Sequence, residues 1–340
     1  MAWPKLTVTL GQAKALIKAM AHEQSFLLLA PPGIGKSAVV AEAAAEAGLP
    51  CRSLLGTQIA PEDVSGIPRI VGERAVFCPP RVLLPEQPEP FCLFLDELPS
   101  CAPDVQKALY SLLLERRLGE HLLPPGTWVV AAGNRVEDRA LVRALSSALV
   151  NRVIILHVRV DAREWLRWAR CNGVRSDVLS FISIMPDALM RPVPAEPVPF
   201  STPRTWAALS RALDLAEQAG LHDPALRRAL AFGRLSAEDA AVYCAMAEEQ
   251  IDGLLPLESY IQDPDLLPEA DAARWLVLHH IRAMVRRREL DGIDPESINY
   301  FLFSLPQEHR FAVLVDLVEE WGALGADDAL FAALQEVTGV

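Results

Sequence analysis

LLLAPPGIGKSAVV, residues 27–40, decides how the rest of the chain is read. Leu27–Leu29 form an apolar run of the kind a buried strand needs. Pro31 and Pro32 end it, because proline has no N–H to give to a sheet ladder. Gly33 and Gly35 supply backbone freedom, and from Lys36 the residues are small helix formers. Residues 30–37 fit the pattern G-x-x-x-x-G-K-[ST], with Ala30 in the place of the first glycine, the position farthest from a bound phosphate. The glycines let successive N–H groups face one concavity, and the helix behind them presents its N-terminus to the same point. Such a turn holds phosphate. Its candidate contacts are Pro32, Gly33, Ile34, Gly35, Lys36, Ser37 and Ala38. Lys36 reaches the β- and γ-phosphates of a nucleotide, and the Ser37 hydroxyl ligates Mg²⁺.

Four other stretches bear on the same chemistry. FCLFLDELPS, residues 91–100, is a strand pattern ending in two acids, which places carboxylates at the sheet edge where the phosphate turn lies. Asp96 is expected to hold Mg²⁺ and Glu97 to polarise an attacking water. TWVVAAGN ends a further run with Asn134, whose amide is suited to orient that water. SSALVNRV contains Arg152, which reads equally well as a surface arginine or, if subunits assemble, as a cation reaching a neighbour's γ-phosphate. An arginine acting in trans is worth about 10³–10⁵ in rate. In Ser201-Thr202-Pro203-Arg204, Thr202 is an N-cap candidate with Pro203 at the first helical position. A cation in that first turn opposes the helix dipole at a cost of about 0.3–1 kcal/mol, so Arg204 is read as a phosphate contact that reverses the penalty.

Apolar runs at 25–30, 51–56, 91–95, 127–132 and 153–158 alternate with helical patterns. Near-continuous apolar strands are those covered on both faces, so a five-stranded parallel sheet is expected. The pattern 37–47 is helical and ends at Gly48, a natural C-cap. Residues 104–117 read as one helix with Val105, Ala108, Leu109, Leu112 and Leu113 on its buried face. From about residue 161 strand patterns vanish and amphipathic helices follow one another. The proline-rich passage 185–204 is an ordered connector. The expected division is an α/β core over 1–160, an all-α lid over 161–250 and a helical extension over 251–340.

The 340 residues are 51% hydrophobic and 22% charged, with a net charge of −12. Those values suit globular domains and disfavour a protein that coats nucleic acid. The 6 cysteines form no C-x-x-C pair, which disfavours structural zinc and disulfides. The N-terminus has no signal-peptide pattern and no apolar run has the length of a membrane span, so a cytoplasmic protein with no membrane partner is expected.

These motifs, in this order, resemble the AAA+ ATPases and most closely their MoxR-like branch. The resemblance covers residues 5–250. It implies a P-loop AAA+ core followed by a helical lid, with ATP and Mg²⁺ bound. In its terms Asp96 and Glu97 are the Walker B acids, Asn134 is sensor 1, Arg152 the arginine finger and Arg204 sensor 2. PEDVSGIPRIVGERAVFCPP, residues 61–80, resembles the insertion into the second helix, with a small hairpin around Gly72-Glu73. Residues 117–129 resemble the hairpin that precedes sensor 1. ELPSCAPDVQKALYSLLLERRLGE and VVAAGNRVEDRA are especially like MoxR-type sequences. The resemblance further implies a homo-hexameric ring and a chaperone-like role on a partner protein, often one with a von Willebrand A-type domain.

Two other readings use the same fold. One is an ATP-dependent nucleic-acid motor, for which Arg282, Arg286, Arg287 and Arg288 form the best basic cluster. The other is a nucleotide-gated scaffold with negligible hydrolysis, against which Glu97, Asn134 and Arg152 argue.

Overall fold

The computed structural model describes residues 6–78, 81, 83–84, 89–118, 120–135, 146–248, 255, 257–269, 271–286, 290, 293–314 and 317–326. The chain divides into two compact units. The first comprises Met1–Asp161, Pro192–Val198 and Thr202–Arg204; the second comprises Ala162–Arg191, Pro199–Ser201 and Thr205–Val340.

The first unit is built on a parallel sheet. Its strands are β1 (Thr7–Val8), β2 (Phe26–Leu29), β3 (Cys51–Leu55), β6 (Cys92–Asp96), β9 (Trp128–Gly133) and β10 (Ile154–Val158), in the order β1-β10-β2-β9-β6-β3. All five apolar runs are strands, and the sheet has six strands rather than the five expected. The additional strand, β1, is two residues long and pairs Thr7 with His157 and Val8 with Val158. Two residues are too few to leave an apolar pattern. The central strands β6 and β9 are buried almost throughout, as their apolar composition requires. Leu27, Phe91, Leu93, Leu95, Leu109, Leu112, Val129 and Ala131 share one core with Val105 and Leu113.

The pattern at 104–117 forms two helices, Pro103–Ala108 and Tyr110–Glu115, meeting at Leu109. The buried face survives because Leu109 still donates to the Val105 carbonyl and Leu113 to that of Leu109. The second helix ends at Arg116, whose φ of 54° is left-handed. Its guanidinium donates to the carbonyls of Thr127 and Ala21, at 3.0 and 3.1 Å. Burial lowers its pKa to about 10.

Two small hairpins project from this unit. β4 (Ile67–Val71) and β5 (Arg74–Cys78) pair antiparallel with Val71 opposite Arg74, leaving Gly72-Glu73 as the turn. Gly72 has φ 64°, and glycine at the first central position is what a two-residue turn of this class demands. The last two residues of the 61–80 stretch, Pro79 and Pro80, lie outside the described residues. β7 (Arg117–Leu118) and β8 (His121–Leu122) form the second hairpin. The two are fastened together. Phe77 N–H donates to Glu120 Oε1 at 3.1 Å, and His121 Nε2 donates to the Phe77 carbonyl at 2.8 Å.

The second unit is helical, with no strand among its described residues. Amphipathic helices follow one another as expected, over Ala162–Cys171, Pro203–Gln218, Ala237–Glu248 and Asp271–Arg286, and shorter ones run over Gln307–Leu314 and Val318–Ala323. Phe181, Trp206 and Tyr243 pack in its core, Tyr243 edge-on to the other two, with ring centroids 5.0–5.7 Å apart. The Trp206 indole N–H donates to the Ala188 carbonyl at 2.7 Å, inside the proline-rich passage. Asp239, fully buried, binds the Arg191 guanidinium and accepts from the hydroxyls of Ser201, at 2.5 Å, and Ser236, at 2.7 Å. A charge so deeply buried is tolerable only when paired and hydrogen-bonded. That pairing also holds the connector in order.

Candidate functional site

The phosphate turn forms as the glycines dictate. Gly33 has φ 79° and Gly35 φ 106°, both in the left-handed region that side chains disfavour. Gly35 is the N-cap of the helix Lys36–Glu46. This helix closes after Ala47: Leu49 N–H returns to the Ala44 carbonyl and Gly48, with φ 71°, donates to that of Ala45. That is the Schellman arrangement, so Gly48 serves as expected.

Lys36 is buried and its ammonium meets three acceptors: the carbonyls of Ala30 at 3.1 Å and Pro31 at 3.0 Å, and Asn134 Oδ1 at 3.0 Å. Two residues singled out from sequence, 98 positions apart, therefore touch. The sheet explains why. β2 and β9 are parallel neighbours with Leu29 opposite Gly133, so the turn after one and the asparagine after the other leave the same edge. β6 adjoins β9 with Leu95 opposite Ala131 and ends at Asp96 on that edge too.

Glu97 follows with φ 57°, uncommon for a residue with a side chain. Its N–H donates to Asp96 Oδ1 at 3.0 Å, and its carboxylate accepts from the Thr57 hydroxyl at 3.3 Å. Thr57 follows β3 and was not among the candidates. Its signal, a hydroxyl just past an apolar strand, is too common to stand out. Two glycines were missed as well. A Cβ on Gly133 would lie 2.2 Å from Pro99 Cδ, and one on Gly56 would lie 2.2 Å from Cys101 Sγ. Both allow the loop after β6 to lie against the ends of its neighbours.

Arg204 reaches the turn through its backbone. Its N–H donates to the Gly33 carbonyl at 2.9 Å, and its side chain is exposed. Thr202 packs against the same glycine: a Cβ on Gly33 would lie 2.6 Å from Thr202 Oγ1. Pro203 is the first helical residue, as read from sequence.

Arg152 is placed elsewhere. It precedes β10, where Ile154 lies opposite Phe26 at the start of β2, so it leaves the sheet at the edge opposite the phosphate turn. Its guanidinium donates to the Ala148 carbonyl at 2.6 Å and lies 5.1 Å from the centre of the Tyr110 ring. Arg287, Arg288 and the tail of VVAAGNRVEDRA, residues 136–140, lie outside the described residues.

Residues 25–154 match the AAA domain of the dynein-related subfamily. The fold is that of a P-loop AAA+ domain, followed by a helical C-terminal region. No curated protein matches the chain in sequence. Among solved structures, the RuvB Holliday junction branch migration motor of Thermotoga maritima is 16% identical, with a TM-score of 0.39 over 92% of this chain and 84% of its own. NtrX from Brucella abortus, solved with ADP, is 15% identical, with a TM-score of 0.40 over 97% and 68%. Among the described residues no helix is long and apolar enough to cross a membrane, and no cluster of three or more His, Cys, Asp and Glu could hold a metal.

Proposed function

We propose that the chain binds and hydrolyses ATP and uses the reaction to remodel or activate a partner protein, as a motor of the MoxR-like kind. The observation that carries the reading is the Lys36 ammonium, held at 3.0–3.1 Å by two carbonyls of its own turn and by Asn134. A buried ammonium that meets the carbonyls of its own turn, at a helix N-terminus and beside left-handed glycines, suits a polyphosphate. The residues also fit Mg²⁺: the Ser37 hydroxyl and the Asp96 carboxylate are the hard oxygen donors it prefers. When bound, the ion would neutralise charge on the β- and γ-phosphates.

The chain's own residues divide the work. The backbone of Pro32–Ala38 and Lys36 hold phosphate. Glu97 accepts a proton from the attacking water, and the Thr57 hydroxyl holds its carboxylate until then. Asn134 links the lysine to the water's position. Arg204 contacts nucleotide from the first turn of the helix Pro203–Gln218. Arg152 serves a neighbouring subunit's phosphate, because its own sheet carries it away from its own turn. The assembly is a homo-hexameric ring in the cytoplasm, with the two hairpins toward its centre. The lid is residues 161–250, the extension 251–340, and the partner carries a von Willebrand A-type domain.

The test is the Mg²⁺-dependent ATPase rate against protein concentration, for the wild type and Arg152→Ala. Specific activity that rises with concentration and falls at least 10³-fold, by order of magnitude, in the variant supports shared sites. Activity indifferent to both refutes the trans arginine. Bound ATP without turnover, in the presence of the partner, favours the gated scaffold, and stimulation by DNA that weakens with salt favours the nucleic-acid motor.

A further inference from the structure

All six cysteines are reduced thiols, and two of them face each other. Cys51 opens β3 and Cys92 opens β6, and the two are register partners in the parallel ladder. Directly paired residues send their side chains to the same face of a sheet. Neighbouring strands lie about 4.8 Å apart, within the span of about 4.4–6.8 Å that the Cα atoms of a disulfide require. The pairing is well anchored, since Cys92 N–H also donates to the Pro50 carbonyl at 2.9 Å. Cys51 is exposed and Cys92, beside it on the same face, is fully buried.

We propose that Cys51 and Cys92 form a peroxide-sensitive dithiol that closes to a disulfide across β3 and β6. The Cys51 thiolate attacks one oxygen of a hydroperoxide and the O–O bond breaks. With hydrogen peroxide, water leaves once the departing oxygen is protonated, and Cys51 becomes a sulfenic acid. Cys92 Sγ then attacks Cys51 Sγ, the S–O bond breaks, and hydroxide leaves as water with the Cys92 proton. Two thiols lose two electrons and one peroxide is reduced to two waters.

The division of labour follows from the surroundings. The hydrogen bond from Cys92 lowers the Cys51 pKa to about 7, while that same contact and burial raise the Cys92 pKa. The solvent-facing sulfur is therefore the nucleophile and the buried one resolves it. The other two exposed cysteines, Cys78 and Cys171, are placed differently. Cys78 is the register partner of Ile67, and Cys171 ends an exposed helix turn. The proposed bond lies at one end of a ladder whose other end pairs Leu55 with Asp96.

The test treats the purified full chain with hydrogen peroxide, alkylates free thiols in denaturant and maps the peptides. The expected result is a dominant Cys51–Cys92 link that dithiothreitol reverses, with Cys51 oxidised several-fold faster than Cys78 or Cys171. In Cys92→Ser, oxidation should stop at a Cys51 sulfenic acid trapped by dimedone. If that variant does not fold, Cys51→Ser, at an exposed position, must abolish the link and leave the Cys92 thiol intact. The proposal is overturned if wild-type Cys51 accumulates as an acid beside reduced Cys92, or if links to Cys78 or Cys171 form in comparable yield. Neither readout depends on nucleotide hydrolysis.

Discussion

At the scale of the residue, Gly33 is the most constrained position in the phosphate turn. Its φ of 79° disfavours any side chain, and its Cβ direction is filled by Thr202 Oγ1, 2.6 Å away. Gly33→Ala must either displace Thr202 or flatten the turn, at a cost of about 1–3 kcal/mol. The expected outcome is a fall in ATP affinity by at least tenfold, roughly the 1.4 kcal/mol equivalent, measured by equilibrium titration of a fluorescent ATP analogue. The same substitution at Gly48 also meets a left-handed φ, but nothing lies within 4 Å of its Cβ. It should cost stability and leave binding unchanged. Lys36, Asp96, Glu97 and Asn134 were legible in sequence because each follows an apolar strand, so chain direction alone sends them to one edge. Thr57, Gly56 and Gly133 were not, because their roles are contacts with residues distant in sequence, on which spacing is silent.

At the scale of the element, what the hairpins do was harder to read than that they exist. The turn at Gly72-Glu73 is a local signal, and β4 and β5 follow from it. Their attachment to β7 and β8 is not local: it rests on Glu120 and His121 bracketing the backbone of Phe77. Ile67, Ile70 and Val71 are exposed on the first hairpin, so little apolar burial holds it. Glu120→Ala removes one hydrogen bond, worth about 1 kcal/mol. Hydrogen exchange should then quicken about fivefold at the Phe77 amide while β6 and β9 keep their protection. Unchanged exchange at Phe77 would show that other contacts hold the hairpin. The helix break at Leu109 had no sequence signal, since the buried periodicity runs through it.

At the scale of the whole molecule, the second unit carries an acid-sensitive buried carboxylate. Burial pushes the Asp239 pKa up, but hydrogen bonds from Arg191, Ser201 and Ser236 outweigh it, so the carboxyl lies below its ordinary value. A carboxylate so lowered stabilises the fold above its unfolded pKa, about 3.9, and that contribution is lost as pH falls through the lower folded value. Asp239→Asn leaves Arg191 without its counter-charge and should cost about 3 kcal/mol at neutral pH. The difference from wild type should shrink below about pH 4. Urea denaturation at both pH values, followed by tryptophan fluorescence, measures it. A constant difference would mean that the charge of Asp239 is not what stabilises the second unit.

The parallel sheet has a further consequence for assembly. Every strand points the same way, so the edge that carries Lys36, Asp96 and Asn134 and the edge that carries Arg152 are the two poles of one object. Across a two-fold axis residue i of one copy meets j of the other while j meets i, so an antiparallel pair would set each phosphate turn beside the partner's arginine edge. If Arg152 acts on a neighbour's phosphate as proposed, a head-to-tail contact has each copy lend its arginine forward and receive one from behind. Such a contact is heterologous, so its rotation decides between a closed circle and an open helix. The two arrangements differ in what they complete: an isologous pair would fill both of its sites, whereas a head-to-tail pair leaves one turn and one arginine unmatched.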